Sequence, residues 1–291
     1  MKKKIIAGLI SITMACTLIP TFSFAADTNV NIDNGFRDAN FARYIAKTFD
    51  KNGDGYLSKD ETSGVTTIDI TKAKRVDSVD GIECFKDLKT LKIPKGAVIY
   101  MEPIKGVTVY EGNGISLDVC YNNVKLKFKT RHKYTGKSIK PEIKTFTVNG
   151  KKVPKSKYTI KYLENKEAGI ADLKITAKKN SGYSGTILET FEIYPKTPSI
   201  SKTTVGKGAV TVKMRAKVSS THGQKYQVAY KVKGTSKWKY KKSKNQTIKI
   251  KSLKKGKKYQ IKVRALAYAS DPKEPPAKGN WSKVKTTSKI K

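Results

Sequence analysis

Hydrophobic positions along the first hundred residues change period twice, and each change predicts an element. Phe36, Phe41, Tyr44, Ile45 and Phe49 fall at helical spacing with Asp38 or Asn40 placed as an N-cap, so a helix is expected to end near residue 49. A second helix is stopped almost at once, because Gly64 follows closely on Glu61 and residues 65–70 alternate like a strand. Val65, Ile68 and Ile70 recur 23 residues later as Leu88, Leu91 and Ile93, the L-x-x-L-x-L signature of a repeating coil. Val76, Val79, Ile82 and Phe85 supply the apolar side between them. The repetition fades after Ile93, which predicts one coil completed by short strands at Val107, Val109, Ile115, Leu117 and Val119.

From about residue 126 the texture becomes short β-branched runs between turn signals such as Tyr134-Thr135-Gly136, Asn149-Gly150 and Ala168-Gly169, as in an all-β sandwich. Tyr194-Pro195-Lys196-Thr197-Pro198-Ser199 reads as a stiff linker, since each proline removes a donor and extends its predecessor. Apolar runs at 210–214, 226–232, 247–250 and 281–284 predict the strands of a second sandwich. The expected fold is mainly β and multidomain: a small α+β cap over 26–125, then two Ig-like β-sandwiches over 126–194 and 195–291.

Within the cap, Asp50-Lys51-Asn52-Gly53-Asp54-Gly55-Tyr56-Leu57-Ser58-Lys59-Asp60-Glu61 fits the D-x-[DN]-x-[DN]-G-x5-E loop at every constrained position. A hard cation needs converging oxygens. Asp50, Asn52 and Asp54 offer side-chain oxygens, Tyr56 a backbone carbonyl, Ser58 a water-mediated contact and Glu61 a bidentate carboxylate. The expected cofactor is Ca2+, and a merely acidic turn explains fewer of the matched positions. Sensor loops work in pairs flanked by full helices, so one loop with a truncated exit helix reads as a structural clip.

Three resemblances follow from these residues. FRDANFARYIAKTFDKNGDGYLSKDE, followed by VTTIDITKAKRVDSVDGIECFKDLKTLKI, resembles the EF-hand and leucine-rich-repeat N-terminal region of secreted multi-module surface proteins from low-GC Gram-positive bacteria (Firmicutes). The frame Y-T-G-x-x-I-x-P from Tyr134, with G-Y-S-G-T from Gly182, resembles a β-sandwich repeat common in Gram-positive cell-surface proteins. Residues 253–265, around Tyr259, resemble the tyrosine-corner region of fibronectin type III domains. Met214 departs from that family, which usually places a buried Trp there.

The N-terminus adds a location. Lys2, Lys3 and Lys4 precede an apolar run ending in Ser23-Phe24-Ala25, the pattern of a signal peptide cut after Ala25. Ser11, Thr13, Thr17, Pro20 and Thr21 break that run too often for a membrane span, and no later segment is long enough. Thr13-Met14-Ala15 before Cys16 is a poor lipobox. The mature chain is therefore expected to be secreted, extracellular or non-covalently attached to the cell wall. Cys84 and Cys120 read as two buried free thiols, with a single accessory bridge between them left open.

Charge is a C-terminal property. Residues 26–125 carry 14 basic and 15 acidic side chains, 126–195 carry 16 and 6, and 196–291 carry 28 and 2. Such a field concentrates polyanions. Only 6 of the 61 basic residues are Arg, and Lys suits diffuse attraction better than bidentate base readout, which with secretion argues against nucleic acid. An anionic cell-wall polymer such as wall teichoic acid is the expected partner, with a host or surface protein as another, and plain solvation of strand faces as the simplest reading of the lysines. Trp238 and Tyr240, flanked by Lys237, Lys239, Lys241 and Lys242, form the candidate contact strip.

An enzyme needs a poised acid, base or nucleophile. Only His132 and His222 occur, no G-x-S-x-G or H-E-x-x-H is present, and paired carboxylates outside the loop reduce to Asp271 and Glu274. The sequence thus points to a non-catalytic calcium-binding surface protein acting in adhesion, binding or display. The alternative is an accessory, dockerin-like component of an extracellular carbohydrate-degrading system, although dockerins carry two calcium segments and this chain carries one.

Overall fold

The structure is a computed structural model that describes residues 29–118, 120–216, 220, 222–269 and 273–291. The expected signal segment with Cys16, and the candidate residues Val119 and Asp271, lie outside them. The chain is mainly β and multidomain.

It begins with β1 (Val30–Asn31), α1 (Ile32–Gly35), α2 (Ala39–Phe49), β2 (Tyr56–Leu57) and α3 (Lys59–Thr62). Asp38 caps α2 by accepting the Asn40 and Phe41 N–H groups, each at 2.9 Å, a bond whose loss costs about 1 kcal/mol. Phe41 and Ile45 on the inner stripe of α2 are fully buried, and Phe36 meets Phe41 edge-on at 5.6 Å. The exit helix α3 is a single turn, ended by Gly64 at φ +71°.

Next come β3 (Thr67–Asp69), β4 (Thr90–Ile93), β5 (Thr108–Glu111) and β6 (Gly114–Ser116). β3, β4 and β5 are parallel, with Thr67 opposite Thr90 and Thr90 opposite Thr108. Ile68, Leu91 and Val109 form one in-register row, each 0% exposed. The parallel stack therefore runs one turn beyond the single coil expected from the sequence. The second turn is shorter than the first, which is why the 23-residue repeat no longer shows; Ile99 and Met101 fill its interior, and the Tyr121 hydroxyl secures it by accepting the Ile99 N–H at 3.0 Å. β6 returns antiparallel to β5, and buried Leu117 follows just after it.

The middle segment supplies β7 (Val124–Phe128), β8 (Arg131–Lys133), β9 (Ile143–Val148), β10 (Lys151–Lys152), β11 (Tyr158–Leu163), β12 (Gly169–Ala177), β13 (Tyr183–Ser184) and β14 (Thr186–Tyr194). Its sheets are ordered β10–β9–β7 and β11–β12–β14–β8. Asn149 and Gly150 turn the β9–β10 hairpin with φ of 48° and 78°, the left-handed pair that a two-residue hairpin demands. β13 joins neither sheet. It pairs in parallel with β6, giving the order β13–β6–β5–β4–β3.

The C-terminal segment contains β15 (Ser199–Gly206), β16 (Ala209–Arg215), β17 (Gln224–Val232), β18 (Lys239–Ser243), β19 (Thr247–Ile250), β20 (Tyr259–Ala267), β21 (Ala277–Lys278) and β22 (Lys285–Thr286). One sheet is β15–β16–β19, and the other is β18–β17–β20 with both β21 and β22 on β20. Val210, Val212, Tyr226, Val228, Ile261 and Val263 pack between them, and Met214, 2% exposed, completes the core where a Trp was expected. The Lys254 N–H donates to the Tyr259 hydroxyl at 3.0 Å, closing a tyrosine corner.

One expected strand is absent. Residues 281–284 are irregular, because Gly279 bonds the Ala265 carbonyl at 2.9 Å while Ser282 bonds that of Val263 at 2.8 Å. Three steps on one side oppose two on the other, so the strand bulges. The linker is packed rather than free: Pro195 and Pro198 are buried, and a Cβ on Gly279 would come within 2.9 Å of the Pro195 carbonyl.

Contacts divide the chain into two compact units, Met1–Lys127 with Lys144–Ile160 and Ile175–Leu188, and Phe128–Ile143 with Lys161–Lys174 and Glu189–Lys291. Strands of the middle segment thus belong partly to one unit and partly to the other.

Candidate functional site

The acidic loop of the N-terminal unit is bent by its own side chains. Asp50 accepts the Gly53 N–H at 2.7 Å and the Gly55 N–H at 3.0 Å. Asn52 accepts from the Asp54 N–H at 3.1 Å, and Asp54 from the Tyr56 N–H at 2.8 Å, so each side chain turns the residue that follows it. The Asn52 amide also donates to Asp54 at 2.9 Å. Gly53 and Gly55, at φ +73° and +80°, supply left-handed backbone between them.

Glu61 closes the loop from the other end. It accepts the Lys51 N–H at 2.8 Å through Oε1, and the Ser58 N–H and hydroxyl at 2.9 and 2.8 Å through Oε2. The Ser58 N–H above all, then its hydroxyl and the Lys51 N–H, hold the Glu61 carboxyl down at about 2. Ser58 and Glu61 are at once the capping box of α3. Asn52 with Asp54, and Ser58 with Glu61, are thus brought together; among the described residues no three His, Cys, Asp or Glu side chains meet at one point.

Leu57, 1% exposed, pairs with Val30 of β1, and the Gly55 carbonyl accepts the Ile32 N–H at 3.0 Å. Two residues of strand gave no sequence signal for this pairing.

The second candidate is the outer face of the β18–β17–β20 sheet. Register places Tyr240 and Lys262 on either side of Ala229, and Arg264 opposite Gln227, so all share one face. Lys231 and Lys262 lie 5.0 and 4.5 Å from the Trp238 ring, and Lys262 and Arg264 lie 5.0 and 4.3 Å from the Trp281 ring. Cation and ring alternate along the sheet. Arg264 also donates to Gln227 at 2.7 Å, and burial lowers its pKa from the usual guanidinium value. Each such contact contributes about 0.5 to 2 kcal/mol and fixes a cation without neutralising it. Among the described residues none of these three cations forms an ion pair with a carboxylate.

Trp238 and Tyr240 lie on this face, with Tyr240 57% exposed. Neither face of β18 is core. The flanking lysines divide: Lys242 shares the ladder's face, whereas Lys241 reaches the Lys249 carbonyl at 2.8 Å. Sequence reasoning missed Lys231, Lys262, Arg264 and Trp281. The period-2 spacing of Lys262 and Arg264 was a usable signal, but the bulge that swings Trp281 over them was not.

The remaining candidates stand apart. Cys84 is buried and Cys120 exposed, both free, which corrects the expectation of two buried thiols. His132 bonds the Lys129 carbonyl at 2.8 Å and His222 meets Glu164 at 2.9 Å. Glu274 is partly exposed, on the loop before β21. Among the described residues no helix is long and apolar enough to cross a membrane.

No curated protein matches the chain. Residues 195–289 are similar to the family described as cytokine receptor-like factor 2-like, D2 domain, in keeping with the fibronectin-like β-sandwich that carries the aromatic and cationic ladder.

Proposed function

We propose that this chain is a secreted, non-catalytic surface-binding protein whose basic C-terminal domain holds polyanions, wall teichoic acid among them, and whose N-terminal unit is clipped by calcium. The observation that carries the reading is the ladder. It fixes Lys231, Lys262 and Arg264 on one face of a segment with 28 basic and 2 acidic residues. Cations pinned on aromatic rings lose little further freedom when a polymer of phosphates meets them.

For calcium, the support is the donor set. Asp50, Asn52, Asp54, Ser58 and Glu61 supply hard side-chain oxygens, with a Tyr56 carbonyl between, and side-chain turns already bend the loop. A bound ion would supply fixed positive charge between the end of α2 and the start of α3. Pairing of the loop with β1 favours a self-contained clip over the dockerin-like alternative, which relies on a second loop.

The test is binding of the full chain to purified wall teichoic acid across a salt series. Affinity should fall steeply as salt rises, and the double change Lys262→Gln with Arg264→Gln should weaken it about tenfold. Absence of binding at low salt, or binding indifferent to salt, sinks the reading.

A further inference from the structure

The open face of the five-stranded sheet in the N-terminal unit ends in a groove of about 650 Å3, within the usual range of small-ligand sites. Its floor follows from register. Tyr110 lies opposite Ile115, and Ile115 opposite Tyr183, so the three side chains form one row on one face of the sheet. Two strand spacings separate the tyrosines, about 10 Å, wider than a single sugar ring and matched by a short oligosaccharide.

One wall is built in advance of any ligand. Asn149, held left-handed at the β9–β10 turn, donates to Asn122 at 2.8 Å and to Thr108 at 3.3 Å, and accepts the Asn123 N–H at 2.9 Å. Asn122, 1% exposed, in turn bonds the Val109 N–H at 3.0 Å and the Val109 and Ser116 carbonyls at 2.9 Å. The buried amides are thus mutually satisfied and rigid. What remains for a ligand is different. Among the described residues, the Tyr110 and Tyr183 hydroxyls, the Asn123 amide and the Lys105 and Lys151 ammonium groups have no partner within the chain. Among the described residues no carboxylate lines the groove.

Flat aromatic faces with mixed donors and acceptors suit a pyranose, whose apolar face stacks while its hydroxyls bond. Two unpaired lysines and no acid add a preference for negative charge. We propose that this groove binds a short acidic oligosaccharide, its rings stacked on Tyr110 and Tyr183 and its carboxylate or phosphate met by Lys105 and Lys151. The site is built from the N-terminal unit alone and stands independently of polyanion binding by the C-terminal domain.

The test titrates the isotope-labelled full chain at high ionic strength, which suppresses diffuse attraction, with trigalacturonic acid, neutral cellotriose and inorganic phosphate in separate arms. Trigalacturonic acid should shift the Tyr110, Asn123 and Lys151 amides saturably, at least tenfold more tightly than either of the others. Tyr110→Ala with Tyr183→Ala should abolish those shifts, whereas the paired Phe variants, which keep the rings, should retain them. Lys105→Gln with Lys151→Gln should erase the advantage of acid over neutral sugar. No saturable shift at these amides, equal shifts with phosphate alone, or binding that survives the paired Ala changes in a folded protein would overturn the proposal.

Discussion

Cys84 and Cys120 are both free, yet what surrounds each sulfur differs. Burial pushes the Cys84 thiol up to about 12, so it stays protonated at neutral pH, and the side chain packs in the N-terminal core. Cys120 is exposed; partial desolvation and Asp118 raise it more modestly. Of these two thiols, native protein at pH 8 should therefore offer Cys120 to a thiol reagent and Cys84 only on unfolding, read by peptide mapping. Rapid labelling at Cys84 would contradict the packing around it. Single residues were legible in the sequence wherever chemistry is fixed by spacing along the chain. The tyrosine of the corner at 259 is such a case. The exposure of Cys120, the ladder contacts of Trp281 and the groove position of Tyr183 were not, since each is set by tertiary packing rather than by spacing along the chain.

Among the elements, the loop between α2 and α3 carries the calcium proposal, and β1 is the part that makes it self-sufficient. Extracellular sites bind with dissociation constants of roughly 0.1 to 1 mM, so about 1 mM calcium should stabilise the fold by about 0.4 to 1.4 kcal/mol. That is an upward shift of a few degrees in the unfolding midpoint of the N-terminal unit. Asp50→Ala with Glu61→Gln should remove the calcium-dependent shift, read by calorimetry in calcium and in chelator; a variant that still gains the shift excludes this loop as its source. Helix α2 and the C-terminal strands β16, β17 and β19 were legible from period alone. The second parallel turn was hidden because its length departs from the first, and residues 281–284 because a bulge follows hydrogen-bond count rather than hydrophobic pattern.

For the whole molecule, charge and topology act on different parts. Positive charge gathers in the C-terminal segment, while the N-terminal unit owes its closure to a strand borrowed from the middle of the chain. Gly114 is the point where that strand presses closest, since a Cβ there would lie 2.4 Å from the Tyr183 backbone. Gly114→Ala should cost about 1 to 3 kcal/mol and lower the N-terminal midpoint by several degrees or more, with the C-terminal transition unmoved. A midpoint equal to that of the unsubstituted protein would mean that β13 is dispensable. The boundary read at residue 125 follows composition, whereas this pairing follows contact, and only the former is written in a linear pattern.

The pairing of Tyr183 with Ile115 also sets an order of events in time. Tyr183 is made 68 residues after its partner, so at about 5 to 20 residues per second the edge at Gly114–Ser116 waits roughly 3 to 14 s for its neighbour. During synthesis the first sheet cannot close ahead of the segment that follows it. A chain emerging N-terminus first would thus leave that sheet edge unpaired until nearly two-thirds of its length had been made.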